Sequence, residues 1–213
     1  MKTTLAIALV AGMSVASTAH AATFNSSTDF FNNNNVSYTE DFSSLPDATV
    51  SLTGPQAFAT GLTVTSESND LFSAATGQST NTSVAIGSNN PLTDSLTLAL
   101  GGVFDAFGLD IYQNTGGGSQ TGGPVSYTLE TFLAGMLVET FMTNVAPNGG
   151  SYFGFNTANG FDAVNIMGVG MFEVVDNVSA GNATSVVPLP ASLPLLLAGL
   201  GALGLMRKRR KAA

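Results

Sequence analysis

Between Val36 and Ala180 no stretch of ten residues keeps a helical spacing of apolar side chains. The segment is a succession of short runs rich in Val, Thr, Phe, Tyr and Leu, broken by Gly, Asn, Pro and Ser. Regular short runs with turn residues between them predict an all-β sandwich or barrel. Candidate strands are Val36–Phe42, Ala57–Ser66, Ser83–Gly87, Ser95–Leu100, Phe104–Tyr112, Val125–Leu133, Met136–Thr143, Tyr152–Asn156, Phe161–Met167 and Met171–Ala180. Leu96, Leu98 and Leu100 alternate onto one face, as do Phe107, Leu109 and Ile111. Alternation in strands this rich in Thr and Ser leaves one face wet, which favours antiparallel sheets.

Two hairpins follow from the turn residues. Gly101-Gly102 as a two-residue turn places Leu96 opposite Phe107 and Leu98 opposite Asp105. A Leu–Asp pair is a poor match, so a slipped or longer turn is an alternative. Ala134-Gly135 places Leu133 opposite Met136, Leu129 opposite Thr140 and Tyr127 opposite Met142. Its core face is then Val125, Tyr127, Leu129, Val138 and Met142. Residues 22–35 read as a polar lead-in with Asn32–Asn35 as punctuation, and 114–124 as a long flexible Gly-rich loop at one end of the sandwich.

The two ends of the chain read as addresses. Lys2, the apolar run Leu5–Val15 and the small-x-small site Ala19-His20-Ala21 make a signal peptide over residues 1–21. A domain over 22–180 and a linker over 181–186 follow. The last segment, 187–213, holds Val187-Pro188-Leu189-Pro190-Ala191, an uncharged run Leu193–Met206, and the basic cluster Arg207, Lys208, Arg209, Arg210 and Lys211. The uncharged run has no polar face and predicts a short transmembrane helix, with the basic cluster as a cytoplasmic stop-transfer signal.

These ends hold all six Lys and Arg residues and the single His, whereas all fourteen acidic residues lie between Asp29 and Asp176. The precursor carries a formal charge of −8, and the domain without its addresses carries −14. That domain has no Lys, Arg, His, Cys or Trp. Without an imidazole, a Ser-His-Asp or Cys-His mechanism is excluded there. Zinc sites of Cys and His are excluded too, and nucleic acid or phosphate partners are disfavoured. Carboxylates, amides, hydroxyls and carbonyls remain, which are hard oxygen ligands suited to calcium. No cofactor is required by this reading. At this length the domain can bury a core without disulfides.

The Val187–Ala191 motif followed by an apolar run and Arg207–Arg210 closely resembles the VPLPA-CTERM sorting signal, a variant of the PEP-CTERM signal of Gram-negative bacteria. The resemblance implies recognition by an exosortase, a membrane protease and transpeptidase, at the inner membrane. It implies cleavage near the Pro-containing motif, then release or attachment at the cell surface, in company with exopolysaccharide and biofilm. The domain is also similar to others bearing this tail. The shared residues are Glu40-Asp41-Phe42, Phe107-Gly108-Leu109-Asp110, Tyr152-Phe153-Gly154-Phe155, Gly160-Phe161-Asp162-Ala163-Val164 and Val175-Asp176-Asn177-Val178-Ser179. In such proteins the last of these forms the final strand of a jelly-roll-like sandwich.

Two acidic constellations stand out. Glu40 and Asp41 from an early strand, with Asp176 and Asn177 from the last, are candidate ligands for a structural calcium, because the first and last strands of jelly rolls often lie together. The plain alternative is that they end strands and cap turns. Glu130 and Glu139 face one another in the Ala134-Gly135 hairpin. Like charges across a ladder are destabilising, so a cation bridges them, the register differs, or water screens them. Their placement also admits a two-carboxylate glycosidase. Four Tyr, fourteen Phe and no Trp favour core filling over sugar platforms. The expected function is a non-enzymatic structural or adhesive surface protein. The alternatives are a carbohydrate-binding module for exopolysaccharide and, third, the glycosidase.

Overall fold

The computed structural model describes residues 21–77, 83–88, 95–114, 124–146, 149–168 and 172–184. All of them lie in one compact unit, His20–Thr184. The expected signal peptide up to residue 20, the loop residues 115–123 and the sorting tail with its expected transmembrane helix lie outside the described residues. Ala21, the last residue of the expected cleavage site, is exposed. Among the described residues no helix is long and apolar enough to cross a membrane.

The elements in chain order are β1 (Thr23–Phe24), α1 (Ser27–Asn33), β2 (Asn34–Glu40), β3 (Val50–Thr53), β4 (Gln56–Ala57), β5 (Thr63–Ser66), β6 (Asp70–Ala74), β7 (Ala85–Ser88), β8 (Ser95–Asn114), β9 (Val125–Leu133), β10 (Met136–Val145), β11 (Gly150–Gly168) and β12 (Phe172–Ala183). Every strand pairing is antiparallel. The all-β expectation therefore holds, and the arrangement is sandwich-like.

Two long strands join the layers. The first half of β8 pairs with β5 on one side and with the second half of β11 on the other. That part of β11 also pairs with β9, and β9 with β10. The second half of β8 pairs with the first half of β11 and with β12. β12 in turn carries β7, β6 and β3 at one end and β2 at the other. Strands that bend from one layer to the next make the corners of such folds. The core between the layers combines Leu96, Leu98, Leu129, Val164 and Ile166 with Phe107, Leu109, Ile111, Phe155, Val175 and Val178. Phe155 stacks on Phe141 with ring centroids 4.1 Å apart.

Gly101-Gly102 is not a hairpin turn. β8 continues through it, so Leu96 and Phe107 sit on one strand. Gly101 has φ +71, and a Cβ there would lie 2.7 Å from the Gly61 carbonyl oxygen. The glycine is needed for a bend and a close backbone crossing, which a Gly pair signals as strongly as a reversal. Tyr152–Asn156 and Phe161–Met167 likewise merge into β11, with register shifts between them. Ala57–Ser66 splits the other way, into the β4–β5 hairpin closed by the Phe58 amide on the Leu62 carbonyl at 2.9 Å. β3 and β6 were not expected, and β12 continues to Ala183, beyond the expected Ala180.

The Ala134-Gly135 turn forms, with φ +50 and +78, but its register slips. Leu137 pairs with Phe132, and then Glu139 with Thr131, leaving Val138 as a bulge. The buried Thr131 hydroxyl accepts from the Glu139 amide at 3.1 Å and donates to the Glu139 carbonyl at 3.2 Å. Beyond the bulge every side chain changes face. Phe141 and Val145 enter the core, Val138 is only half-buried, and Met142 is 69% exposed. The expected core positions of Val138 and Met142 are thus corrected, while Val125, Tyr127 and Leu129 are buried as expected.

The polar lead-in contains α1. Ser26 caps it, Asp29 lies in its first turn, and Phe30 is its buried residue. The asparagines end it: the Asn33 amide donates to the Asp29 carbonyl at 2.7 Å and Asn34 to the Phe30 carbonyl at 2.8 Å. These side chains take up helix-terminal acceptors that a further turn would have used.

Candidate functional site

The outer face of the second layer carries the chemistry. There Tyr152 on β11, Asp110 on β8 and Asp176 on β12 are register neighbours in a row across three strands. The row owes its shape to a bulge. Asp176 pairs with Asp110 and Ser179 with Gly108, so two residues of β12 oppose Leu109 alone. Asn177 sits in that bulge at φ +50, a left-handed conformation that Asn tolerates. From there its side-chain amide donates to the Asp110 carboxylate at 2.8 Å.

Asp176 is fully buried. One carboxylate oxygen accepts from the Asn177 amide at 2.7 Å, and the other accepts from the Ser83 hydroxyl. Burial pushes its pKa up to about 6; those two hydrogen bonds oppose the shift, and the Asp110 and Asp41 carboxylates add to it. Burial also raises Asp110, with the Asn177 amide partly offsetting it. Tyr112 is pushed up to about 12 by burial and then by both carboxylates. Tyr152 is raised by burial and by Asp110, and its buried hydroxyl has no hydrogen-bond partner among the described residues.

Gly108 and Gly154 are directly paired and form the floor beside this row. A Cβ on Gly108 would lie 2.0 Å from the Tyr152 hydroxyl, and one on Gly154 would lie 2.8 Å from the Phe30 ring. The glycines therefore make room for α1 and Tyr152 to lie flat on the sheet. The Phe30 and Tyr152 rings meet at 5.9 Å.

The four expected calcium ligands are only partly brought together. β2 and β12 are neighbours as anticipated, with Val178 opposite Glu40. Glu40, however, accepts from the Phe42 amide at 3.1 Å and the Thr60 hydroxyl at 2.8 Å. Asp41 is exposed and accepts from the Ser43 amide at 3.0 Å, which holds its pKa below the usual carboxylate value. Among the described residues no group of three or more His, Cys, Asp or Glu is arranged to hold a metal ion. Asp110 and Ser83 were missed as partners of Asp176, and Tyr152 as the neighbour of Asp110. The one available signal was an acid in an otherwise apolar strand. Glu130 and Glu139 are not opposite: the bulge pairs Glu130 with Thr140.

An open groove of about 680 Å³, which shares Tyr152 with the Asp110–Asp176 row, lies where β1, β10 and β11 approach. Thr23 and Asn25 line it from β1 and the turn after it. Met142, Thr143 and Asn144 come from β10, and Gly150, Ser151, Tyr152 and Phe153 from β11. Among the described residues no lining residue is charged. The Ser126 hydroxyl holds the Asn144 side chain by donating to its carbonyl at 2.6 Å.

Residues 186–211 match the PEP-CTERM protein-sorting motif. The match covers the segment in which the sequence placed the Pro-containing signature and the basic cluster. The PEP-CTERM motif marks an exported, sorted protein. No curated protein matches the chain. Among solved structures the chain is similar to family 29 carbohydrate-binding modules. One mutant of CBM29-2 gives a TM-score of 0.34 at 13% identity over 80% of this chain and 99% of that one. A second mutant gives 0.37 at 16% identity over 73% and 97%. At these TM-scores the likeness carries no argument about ligand or activity.

Proposed function

We propose that this chain is an exported protein of a Gram-negative bacterium. An exosortase-type membrane protease cleaves it at the VPLPA variant of the signal, Val187–Ala191. It then acts at the cell surface or in the biofilm matrix as a non-enzymatic structural or adhesive component. The observation that carries this reading is the sorting motif at 186–211. In the same reading the Leu193–Met206 run inserts as a short helix at the inner membrane, and Arg207–Lys211 stays cytoplasmic. The jelly-roll form of the sandwich belongs to this proposal, supported by the β2–β12 pairing. Replacing Pro188 and Pro190 with Ala tests it. The tailed form should accumulate in the membrane fraction, and unchanged processing would count against the proposal.

A structural calcium at Glu40, Asp41, Asp176 and Asn177 is part of the proposal too, supported by the anionic surplus and by the pairing of β2 with β12. A calcium-dependent rise in melting temperature tests it. A second reading, binding of a polysaccharide partner, is favoured by one observation: a groove lined by hydroxyls and amides without charge.

A further inference from the structure

We infer that the groove between β1, β10 and β11 is the binding site for an uncharged polysaccharide, and that anionic polysaccharides are excluded from it. This rests on the polysaccharide-binding reading above. The groove's volume of about 680 Å³ is in the range of small-ligand sites, which span roughly 300–1,000 Å³. It is open rather than enclosed, so a polymer can lie along it with a few units seated.

The lining selects the chemistry. Asn25, Asn144, Ser151, Thr23 and Thr143 offer both donors and acceptors, as a polyhydroxylated ligand requires. An anionic ligand needs a cation, and the sequence from 22 to 206 supplies none. It would also meet the field of a domain carrying −14. A cationic ligand would need a carboxylate in the lining, and among the described residues there is none.

The groove is also preorganised. The Tyr152 hydroxyl end is buried against Gly108 and its ring is braced by Phe30, so that wall is fixed before a ligand arrives. Met142, 69% exposed, is an adaptable apolar wall on another strand. Together they suit the C–H faces of sugar rings, while the amides and hydroxyls take the hydroxyl edges.

The test is retention of the full chain, with Arg207, Lys208, Arg209, Arg210 and Lys211 replaced by Gln so that the tail supplies no cation, in a detergent without a sugar headgroup, on gels carrying neutral polymers (β-glucan, mannan, xylan) or anionic ones (alginate, polygalacturonate). Retention by at least one neutral polymer, by no anionic polymer, and insensitive to salt is expected. Asn25 and Asn144 are both exposed, so the Asn25→Ala/Asn144→Ala double variant leaves the core untouched. It should weaken retention about tenfold, the sum of two modest hydrogen-bond losses. Met136→Ala, at the far end of β10, should not. An unchanged melting temperature shows that the double variant is folded. Retention by neutral polymers that the double variant leaves unchanged overturns the groove while the binding reading stands. Salt-sensitive retention by anionic polymers overturns the exclusion. No retention by any polymer overturns the binding reading itself.

Discussion

Replacing Gly108 with Ala puts a methyl carbon where the Tyr152 hydroxyl lies. The added Cβ would sit 2.0 Å from that oxygen, 2.9 Å from Cζ and 3.3 Å from the Phe30 ring. Tyr152 must move, and with it the packing of α1 on β8 and β11. Overpacking of this kind costs about 1–3 kcal/mol. The better strand propensity of Ala returns about 0.5–1 kcal/mol. A net loss of about 1–2 kcal/mol is expected, which lowers the melting temperature by roughly 2–8 °C in a domain of this size. Tyr152→Phe alone should be neutral or slightly stabilising, because the hydroxyl it removes is buried without a partner among the described residues. In the double variant the nearest clash is gone and about half of the penalty should disappear. Thermal and urea unfolding of the four proteins give the cycle. A Gly108→Ala variant within about 0.5 kcal/mol of the parent, or no relief from Tyr152→Phe, would refute the steric account.

Asp176 predicts an unusual pH response. Its folded pKa of about 6 lies above the unfolded value of ~3.9, so the stability it contributes is complete below pH ~4 and is lost as pH rises through about 6. Melting in calcium-free buffer should therefore show a gain of about 1–3 kcal/mol on acidification from pH 7 to pH 4–5, and Asp176→Asn should raise stability at pH 7 and flatten that profile. Asp41 acts in the opposite sense below pH ~4, since its pKa is lowered, so stability should fall again there. A third variant, Ala134→Asn, relieves an Ala held at φ +50 and should raise the urea midpoint by the equivalent of about 0.5–1 kcal/mol.

Period-2 patterning was enough to find the faces of the sandwich. Val125–Leu133 is a strand with the anticipated bounds, and Leu96, Leu98 and Leu100 are all buried. What patterning lacks is any record of where the period breaks. The bulge at Val138 depends on the Thr131 side chain, and that at Asp176–Ser179 on Asn177 adopting a positive φ. The first shifts the register within a hairpin and the second sets it between strands distant in sequence, so Asp110 could not be matched to Asp176 before the pairing was known. Gly101 was misread for a related reason: the residue that makes its φ necessary, Gly61, is forty positions away. Glu40 was legible as the neighbour of the last strand, but its commitment to the Phe42 amide and Thr60 hydroxyl was not. The sorting segment needed none of this, because its motif is read along the chain.

The mass of the protein recovered from the surface of its own cell tests the central proposal most directly. Processing at both ends predicts a chain that begins near Ala22, ends at the Val187–Ala191 motif, and contains no Lys or Arg, so trypsin finds no site in it. A mature protein that still carries Arg207–Lys211, and yields tryptic fragments from that cluster, would contradict it.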